Sequence, residues 1–493
     1  MRHVEPVGPI QDRALVGGKW VGAASGREIE VRNPATDAVI ATVPEGDIVD
    51  AGLAVDAAAA ALPGWRTRTG AERSRLLRSL YDLMVRDQDK LAKLMTLELG
   101  KPVAEARGEV HYAAGFIEWS AEEAKRVYGE TVPAFVSDKR VLVLRQPIGV
   151  AAAITPWNFP AAMITRKLGP ALAAGCTMVV KPATKTPLTA LALGELALEA
   201  GIPSGVVNVL PGRAGPIAQA WLADERVRAL SFTGSTEVGR DLMVLASPHI
   251  TRLSLELGGH APFLVFDDAD LELAVAGALA CKYRNAGQTC ISANRIYVQA
   301  GIHDRFVSAM AKGSAALNVG DGFDDGVVIG PLVDDRALEK VEEHVADAIA
   351  LGATLVTGGH RLTARDGYAD RFYEPTVLSG VRPGMKIMTE ETFGPVAPVI
   401  RFSTEADAIS QANDSPYGLA AYVYTQDASR LMRVVEALEY GVVGANDGLP
   451  STAQAPFGGY KESGLGREGG KWGLDEYLET KYVSWRVVPD PLR

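Results

Sequence analysis

The alternation of apolar runs with helical segments between residues 148 and 240 constrains the fold most. The apolar, partly β-branched runs lie at 149–155, 177–181, 206–210 and 229–232, and Ala- and Leu-rich segments separate them at about 161–174, 188–200 and 214–223. Strands that alternate with helices predict right-handed βαβ units around a parallel sheet with both faces buried. The sequence therefore predicts an α/β fold with a doubly wound domain of the nucleotide-binding type.

A second α/β pattern extends from about residue 260 to 450. Its strand candidates are 261–266, 295–298, 396–400, 420–424 and 442–445, with a helical stretch at 336–351. The run 139–147 belongs to neither pattern and alternates by two, as a pairing strand does. A chain of 493 residues is too long for one hydrophobic core, so we expect more than one domain.

Charge and composition argue against several classes of partner. The net charge is -10 and no basic run offsets it, so nucleic acid is not an expected partner. No stretch reaches about 18 consecutive apolar residues, so we expect no membrane span. The first residues lack the apolar core of a signal peptide, and three cysteines form no disulfide framework. We therefore expect a cytoplasmic protein, and the scattered histidines predict no metal site.

Cys290 is the strongest candidate for a reactive residue. It ends the polar, glycine-containing segment Tyr283-Arg284-Asn285-Ala286-Gly287-Gln288-Thr289-Cys290, which is a poor place for a core-filling thiol. An accessible thiolate attacks carbonyl groups, and a nearby carboxylate can relay a proton. Glu256, which lies 34 residues upstream, is the candidate carboxylate, whereas Cys176 and Cys281 are taken as structural.

Three further candidates follow predicted strands. Gly234 and Ser235 form a strand-to-helix turn whose backbone N–H groups could bind a pyrophosphate. The amide of Asn158 could donate to a developing oxyanion, or it could simply make an Asx-turn. Lys181 could bind ribose hydroxyls or a phosphate, or it could be an ordinary surface lysine. The pattern Gly464–Gly469 matches a dinucleotide fingerprint but follows no strand, so we interpret it as a turn.

Seven short motifs occur in the order found in the aldehyde dehydrogenase superfamily. They are Trp157-Asn158-Phe159-Pro160, Lys181-Pro182-Ala183, Phe232-Thr233-Gly234-Ser235, Leu255-Glu256-Leu257-Gly258-Gly259, Gly287-Gln288-Thr289-Cys290, Glu390-Glu391-Thr392-Phe393-Gly394-Pro395 and Pro456-Phe457-Gly458-Gly459. The chain resembles this superfamily from about residue 16 to its end. Within it, Met163–Lys167, Arg284–Cys290 and Gly464–Gly469 most resemble bacterial succinate-semialdehyde dehydrogenases.

The resemblance implies a covalent mechanism. Cys290 would attack the aldehyde to give a thiohemiacetal, and Asn158 with the Cys290 N–H would stabilise the oxyanion. Hydride transfer would leave a thioester, which water activated by Glu256 would hydrolyse. The positions that match the family's cofactor site are Thr155, Trp157, Lys181, Thr184, Gly234, Ser235, Glu391 and Phe393.

The resemblance also bears on cofactor and substrate. Many members that prefer NAD carry a glutamate where this chain has Thr184, so we expect NADP, with NAD possible. Arg166, Arg284 and Ser451 match residues that bind the distal carboxylate of a semialdehyde, although an arginine there could equally form an ion pair within the fold. Succinate semialdehyde is the expected substrate. The alternatives are glutarate semialdehyde, a neutral aldehyde, or a non-catalytic structural protein, against which the intact catalytic set argues.

The resemblance implies three structural parts. We expect a dinucleotide-binding domain at 1–126 and 148–258, an α/β catalytic domain at 259–460, and a small β oligomerisation element at 127–147 and 474–493. Such an element predicts a homodimer or homotetramer.

Overall fold

The fold was analysed in a computed structural model that describes residues 8–363 and 367–488. Its α-helices are α1 (Ile48–Arg66), α2 (Gly70–Arg86), α3 (Gln88–Leu99), α4 (Val103–Glu123), α5 (Ala162–Ala174), α6 (Leu188–Glu199), α7 (Ala214–Ala223), α8 (Thr236–Ala246), α9 (Leu271–Tyr283), α10 (His303–Ala315), α11 (Asp335–Ala350), α12 (Glu405–Asn413), α13 (Ala428–Ala437) and α14 (Trp472–Asp475). Short 3-10 turns lie at Ala124–Arg126, Ser247–His249, Arg284–Gly287 and Lys386–Met388.

The strands fall into two large and several small sheets. They are β1 (Ala14–Val16), β2 (Lys19–Val21), β3 (Glu28–Arg32), β4 (Val39–Pro44), β5 (Glu130–Val132), β6 (Lys139–Pro147), β7 (Val150–Ile154), β8 (Thr177–Lys181), β9 (Val207–Val209), β10 (Val227–Thr233), β11 (Arg252–Glu256), β12 (Ala261–Val265), β13 (Ala293–Gln299), β14 (Thr354–Thr357), β15 (Arg361–Leu362), β16 (Phe372–Tyr373), β17 (Thr376–Ser379), β18 (Val396–Phe402), β19 (Tyr417–Gly418), β20 (Ala420–Tyr424), β21 (Val442–Ala445), β22 (Tyr460–Lys461), β23 (Gly464–Leu465) and β24 (Leu478–Arg486).

The first large sheet has the order β2-β1-β9-β8-β7-β10-β11-β23, and its strands from β9 to β11 are parallel. Both of its faces are buried. In β7, Ala151 and Ala153 pack into one core, whereas Val150, Ala152 and Ile154 pack into another. The doubly wound sheet predicted from the sequence is therefore confirmed.

The second large sheet has the order β14-β17-β18-β13-β12-β20-β21. Its strands are parallel except for β14, which pairs antiparallel with β17. A third sheet joins the antiparallel strands β24, β6 and β5, and Leu478 to Arg486 of β24 pair with Pro147 to Lys139 of β6. The overall architecture matches the predicted α/β class.

Helix α1 is the one helix in the described part of the chain that is long and apolar enough to cross a membrane by length and composition. A core helix of a folded domain passes the same test. The side chains of Ala51, Ala54, Val55 and Ala58 lie in the core on one face of the first sheet. In this fold α1 is thus part of the sheet's packing.

Candidate active site

The carboxyl ends of four neighbouring parallel strands bring the predicted site residues together. Ile154 of β7 pairs with Lys181 of β8 on one side and Phe232 of β10 on the other. Thr233, which ends β10, pairs with Glu256, which ends β11. Because the strands are parallel, the residues that follow each of them meet at one edge of the sheet.

The loop before Cys290 is shaped by three consecutive left-handed residues. Asn285, Ala286 and Gly287 have φ values of 51°, 56° and 75°. The cost of these conformations is offset by hydrogen bonds, since the Asn285 side chain donates to the Asn158 carbonyl (3.0 Å) and the Gln288 side chain donates to the Asn285 carbonyl (3.0 Å). The loop thereby fixes Cys290 against Gly259, where a Cβ would overlap the Cys290 carbonyl.

The surroundings of Cys290 disfavour its thiolate in the free protein. Burial raises its pKa to about 12, the carboxyls of Glu391 and Glu256 add to the rise, and Arg166 opposes it. A thiol must lose its proton before it attacks a carbonyl. The site therefore needs a proton acceptor close to the sulfur.

Glu256 has the properties of such an acceptor. Its side chain is buried, and neither carboxyl oxygen has a hydrogen-bond partner among the described residues. Burial raises its pKa well above the usual value, and the charge of Glu468 raises it further, while Arg166 and Lys167 lower it. A carboxyl group whose pKa is shifted upward is suited to proton transfer near neutral pH.

Asn158 connects the end of β7 to the Cys290 loop. Its Nδ2 donates to the Gln288 carbonyl at 3.0 Å, while its Oδ1 is buried without a partner in the described structure. Its own carbonyl accepts from Lys101 Nζ at 3.0 Å, and Lys101 forms a buried ion pair with Glu109. The side-chain amide, which has a second N–H, is therefore held firmly beside the loop that carries the thiol.

A narrow cavity opens at Cys290. All three predicted substrate residues, Arg166, Arg284 and Ser451, line it. The rest of the lining is aromatic or apolar apart from Thr289, and consists of Tyr112, Phe159, Met163, Thr289, Ile291 and Phe457. The hydroxyls of Tyr112 and Ser451 are hydrogen-bonded across it at 2.5 Å. A cavity with this lining suits a short molecule with an anionic end.

The two arginines differ in their partners. Arg166 is 1 % exposed, and its Nε lies 2.7 Å from Oε2 of Glu468, which also pairs with Lys167. The predicted alternative of an ion pair within the fold thus applies to Arg166, although its guanidinium still borders the cavity, 4.0 Å from the centre of the Phe457 ring.

Arg284 has no carboxylate at ion-pair distance in the described part of the chain. Its guanidinium carbon lies 4.7 Å from the centre of the Phe159 ring and 5.9 Å from that of Tyr112. The charge of Arg284 acts to lower the pKa of Glu105, which burial raises, and Oε2 of Glu105 accepts from the Asn285 backbone N–H. Arg284 therefore offers the cavity a cation that no acidic side chain binds directly.

The predicted cofactor residues border a second region at the same sheet edge. Lys181 is 3 % exposed, and its Nζ donates to the Thr184 hydroxyl at 3.4 Å. Burial lowers its pKa to about 8, and no carboxylate at ion-pair distance offsets this in the described residues. A buried cation of this kind fits a phosphate or a ribose.

The neighbouring residues complete this region. Lys185 pairs with Asp334, so its charge is already shared. Ser235 caps α8 by accepting from the Val238 N–H (3.4 Å), and a Cβ at Gly234 would overlap the Phe232 ring. The Trp157 and Phe393 rings meet edge to face at 5.6 Å. Glu391 is half-buried, its desolvation raises its pKa to about 8, and the Gly259 backbone N–H donates a hydrogen bond to it.

Two site residues were not found from the sequence. Glu468 lies in the Gly464–Gly469 segment, which carries a family resemblance but no local sign of an ion pair with α5. Tyr112 lies inside α4, where nothing in the pattern distinguishes it from a packing residue. The described residues contain no group of three or more His, Cys, Asp or Glu side chains that could hold a metal ion.

The sequence and structure were compared with known proteins. The pattern of the aldehyde dehydrogenase family matches residues 20–483. The chain is 57% identical to the succinate-semialdehyde dehydrogenase GabD of Escherichia coli K12, whose name specifies NADP(+), over 96% of this chain and 98% of that protein. It is 55% identical to a glutarate-semialdehyde dehydrogenase of Pseudomonas putida KT2440, over 97% of this chain and 98% of that protein.

A solved structure gives the same result. The crystal structure of succinate-semialdehyde dehydrogenase from Burkholderia pseudomallei superposes with a TM-score of 0.95 at 52% identity, covering 97% of this chain and 98% of that chain. Sequence and fold agree, and the chain belongs to the aldehyde dehydrogenase family.

Proposed function

We propose that the enzyme oxidises succinate semialdehyde to succinate, with NADP as its preferred cofactor. The observation that carries the proposal is Arg284, a cation in the cavity at Cys290 to which no acidic side chain in the described part of the chain binds directly. Relatives named for succinate and glutarate semialdehydes, both of which carry a carboxylate, support it. Arg suits this role because its planar fork pairs with a carboxylate through two hydrogen bonds.

The chemistry starts at Cys290. The Glu256 carboxylate takes the thiol proton and passes it to solvent, the sulfur bonds to the aldehyde carbon, and the carbonyl oxygen becomes the oxyanion of a thiohemiacetal. The free N–H of Asn158 and the backbone N–H of Cys290 stabilise this oxyanion. Bound NADP supplies the hydride acceptor. The product on the enzyme is a thioester at Cys290.

Glu256 completes the cycle. Its carboxylate removes a proton from water, the resulting hydroxide bonds to the thioester carbon, and the carbon–sulfur bond breaks to release succinate and the thiolate. The raised pKa of Glu256 supports this role because a stronger base removes the proton more readily. Thioester hydrolysis therefore depends on a side chain that makes no competing hydrogen bond in the described structure.

The cofactor preference depends on Lys181 and Thr184. Thr184 brings no negative charge to the region where the adenosine ribose is proposed to bind, and Lys181 brings a buried cation. Lys185 contributes less, because Asp334 already pairs with it. Trp157, Thr155, Gly234, Ser235, Glu391 and Phe393 are the other proposed cofactor residues, and NAD remains a usable second cofactor.

The strongest alternative is glutarate semialdehyde, because a relative named for that activity is 55% identical. The two acids differ by one methylene, which is worth only about 1–3 kcal/mol of discrimination in an apolar pocket. A neutral aldehyde is disfavoured by the cationic wall of the cavity. A structural protein would have no need for the buried Glu256 beside Cys290.

We also propose the assembly and location of the enzyme. Residues 127–147 and 474–493 would form the oligomerisation element, and the sheet β24-β6-β5 supports this because its outer strands are largely exposed. A homodimer or homotetramer in the cytoplasm is the expected form. The dinucleotide-binding domain would comprise 1–126 and 148–258, and the catalytic domain 259–460.

A panel of aldehydes tests the proposed function. The purified enzyme would be assayed with C2 to C6 aldehydes, each with and without a terminal carboxylate, against both NADP and NAD. We expect the highest kcat/KM for succinate semialdehyde with NADP. A higher value for a neutral aldehyde, or a tenfold preference for NAD, would contradict the proposal.

A further inference from the structure

The segment Glu390–Pro395, which contains the proposed cofactor residues Glu391 and Phe393, lies between α11 and the Cys290 loop. On one side, a Cβ at Gly394 would overlap the side chain of Val341 in α11. On the other, a Cβ at Gly287 would overlap the Gly394 carbonyl. The backbone of the segment is therefore in close contact with both neighbours, and a shift of α11 moves it relative to Cys290.

His344, one turn beyond Val341 in α11, holds this segment through both of its ring nitrogens. Nδ1 lies 3.1 Å from the Thr392 hydroxyl, and Nε2 lies 3.3 Å from Oε2 of Glu390. The ring is fully buried. A neutral imidazole with its proton on Nε2 satisfies both partners, since it donates to the Glu390 carboxylate and accepts from the Thr392 O–H.

The surroundings of His344 favour that neutral form. Burial lowers its pKa below the usual value, and Lys340 lowers it further, while Glu390 and Glu343 act in the opposite direction. Thr392 is buried, so its hydroxyl depends on this ring for a partner within the site. Glu390 is exposed and is the weaker of the two contacts.

The two residues that His344 holds flank Glu391. The Glu391 carboxyl accepts a hydrogen bond from the backbone N–H of Gly259 and raises the pKa of the Cys290 thiol, which burial raises most. Phe393, the residue after Thr392, adopts a left-handed φ of 54° and places its ring against Trp157. His344 thus holds the backbone that bears both side chains through Glu390 and Thr392, which are not themselves among the proposed cofactor residues.

We propose that His344 is a positioning residue that orients Glu391 and Phe393 for the cofactor. This assignment rests on the proposed function, in which these two side chains bind the nicotinamide end of NADP. His344 itself touches neither Glu391 nor Phe393 through its ring nitrogens. Because Glu391 and Phe393 are proposed to bind the cofactor, loss of His344 weakens cofactor binding more than it weakens aldehyde binding.

The test compares two changes at one position with a matched control. His344→Leu removes both contacts, whereas His344→Gln keeps one donor and one acceptor. The control is His303→Leu, since His303 is a buried histidine at the start of α10 that bonds to Asp304 and Arg401. The readouts are the KM for NADP, the KM for the aldehyde, and the Kd for NADPH from fluorescence titration.

We expect His344→Leu to raise the KM for NADP and the Kd for NADPH by about tenfold, with the aldehyde KM changed by less than about threefold. His344→Gln should bring both cofactor values back to within about threefold of the wild-type enzyme. Equal shifts in the His344→Leu and His303→Leu proteins would overturn the proposal, because they would indicate only a general loss of packing.

Two further measurements keep the test decisive. If His344→Leu does not fold, Thr392→Val removes one hydroxyl at nearly constant volume, and an unchanged Kd for NADPH in that protein would also overturn the proposal. The NADPH titration needs no turnover. A wild-type enzyme that binds NADPH but does not oxidise succinate semialdehyde would contradict the proposed substrate and leave the His344 comparison intact.

Discussion

The Arg166 guanidinium and the Glu468 carboxylate form a buried ion pair, with 2.7 Å between Nε and Oε2. Lys167 pairs with the same carboxylate, and the two cations lower the pKa of Glu468 even though burial acts to raise it. Arg166 therefore shares its charge with the protein, whereas Arg284 has no such partner among the described residues. The two arginines of the cavity should behave differently when they are removed.

Arg284→Ala should lower kcat/KM for succinate semialdehyde. The corresponding activation free energy should rise by about 1.5–3 kcal/mol, the range of a hydrogen bond to a charged group. The same change should leave kcat/KM for a neutral aldehyde of equal length nearly unchanged, because no carboxylate is there to bind. Steady-state kinetics with both aldehydes measure the difference. Equal losses for the two would argue against recognition of the carboxylate by Arg284.

Arg166→Ala should have a broader effect. The change removes one partner of a buried charge and leaves Glu468 with Lys167 alone, which should destabilise the protein by about 3 kcal/mol. We expect a lower Tm and lower kcat/KM for both charged and neutral aldehydes. Differential scanning calorimetry and the same two-aldehyde assay check this, and an unchanged Tm would show that the ion pair adds little to stability.

Thr184→Glu should move the cofactor preference toward NAD. A carboxylate at this position repels a 2′-phosphate and can bind ribose hydroxyls, so kcat/KM with NADP should fall by at least about tenfold while that with NAD is kept or rises. Thr184→Gln has a similar shape without the charge and is the matched control. If Gln and Glu have the same effect, charge repulsion is not the cause.

The preference for NADP should depend on pH through Lys181. Burial lowers the pKa of Lys181 to about 8, so the side chain carries its charge below that pH and loses it above. The ratio of kcat/KM for NADP to that for NAD should therefore fall as the pH rises from about 7 to about 9.5. The ratio cancels titrations that both cofactors share, such as that of Cys290.

Lys181→Met provides the control for this pH dependence. The variant should show a low ratio at every pH, because it has no charge to lose. A wild-type ratio that stays constant across the range would contradict a role for the Lys181 charge.

Glu256→Gln should separate the two halves of the reaction. The amide cannot remove a proton from water, so the thioester should accumulate after one release of NADPH per subunit, and the steady rate should fall by roughly 10²–10⁴-fold. This single release should itself be slower than in the wild-type enzyme, because the amide cannot accept the thiol proton either. Stopped-flow absorbance at the NADPH band measures the burst. Cys290→Ser should abolish the burst, and a Glu256→Gln enzyme with undiminished steady turnover would exclude Glu256 as the base for hydrolysis.

Much of the fold could be predicted from the sequence because its strands are short, apolar and bounded by glycine-containing turns. The predicted run at 177–181 is β8 itself, and the helix expected at 336–351 is α11, Asp335–Ala350. The short edge strand β14 and its neighbour β17 were not predicted, since their pairing depends on tertiary contacts rather than on local alternation.

Some residues of the candidate site could be proposed from the sequence, and others could not. Residues that follow predicted strands, such as Asn158 and Ser235, could be proposed from where parallel strands place their carboxyl ends. The pairing of Arg166 with Glu468 does not, because it joins parts of the chain that are distant in sequence and leaves no periodic trace. Tyr112 could not be predicted for the same reason, because its hydrogen-bond partner Ser451 is distant in sequence.

Part of the wall of the aldehyde cavity comes from elements that carry none of the groups that make and break bonds. Tyr112 belongs to α4 and Ser451 to a loop near the carboxyl terminus, whereas Glu256 ends β11. Substitutions at these two wall positions can therefore accumulate while the reacting geometry stays constant. Such a division gives the lineage a route to new aldehydes by gradual drift, and it gives the protein engineer a set of positions to randomise without endangering turnover.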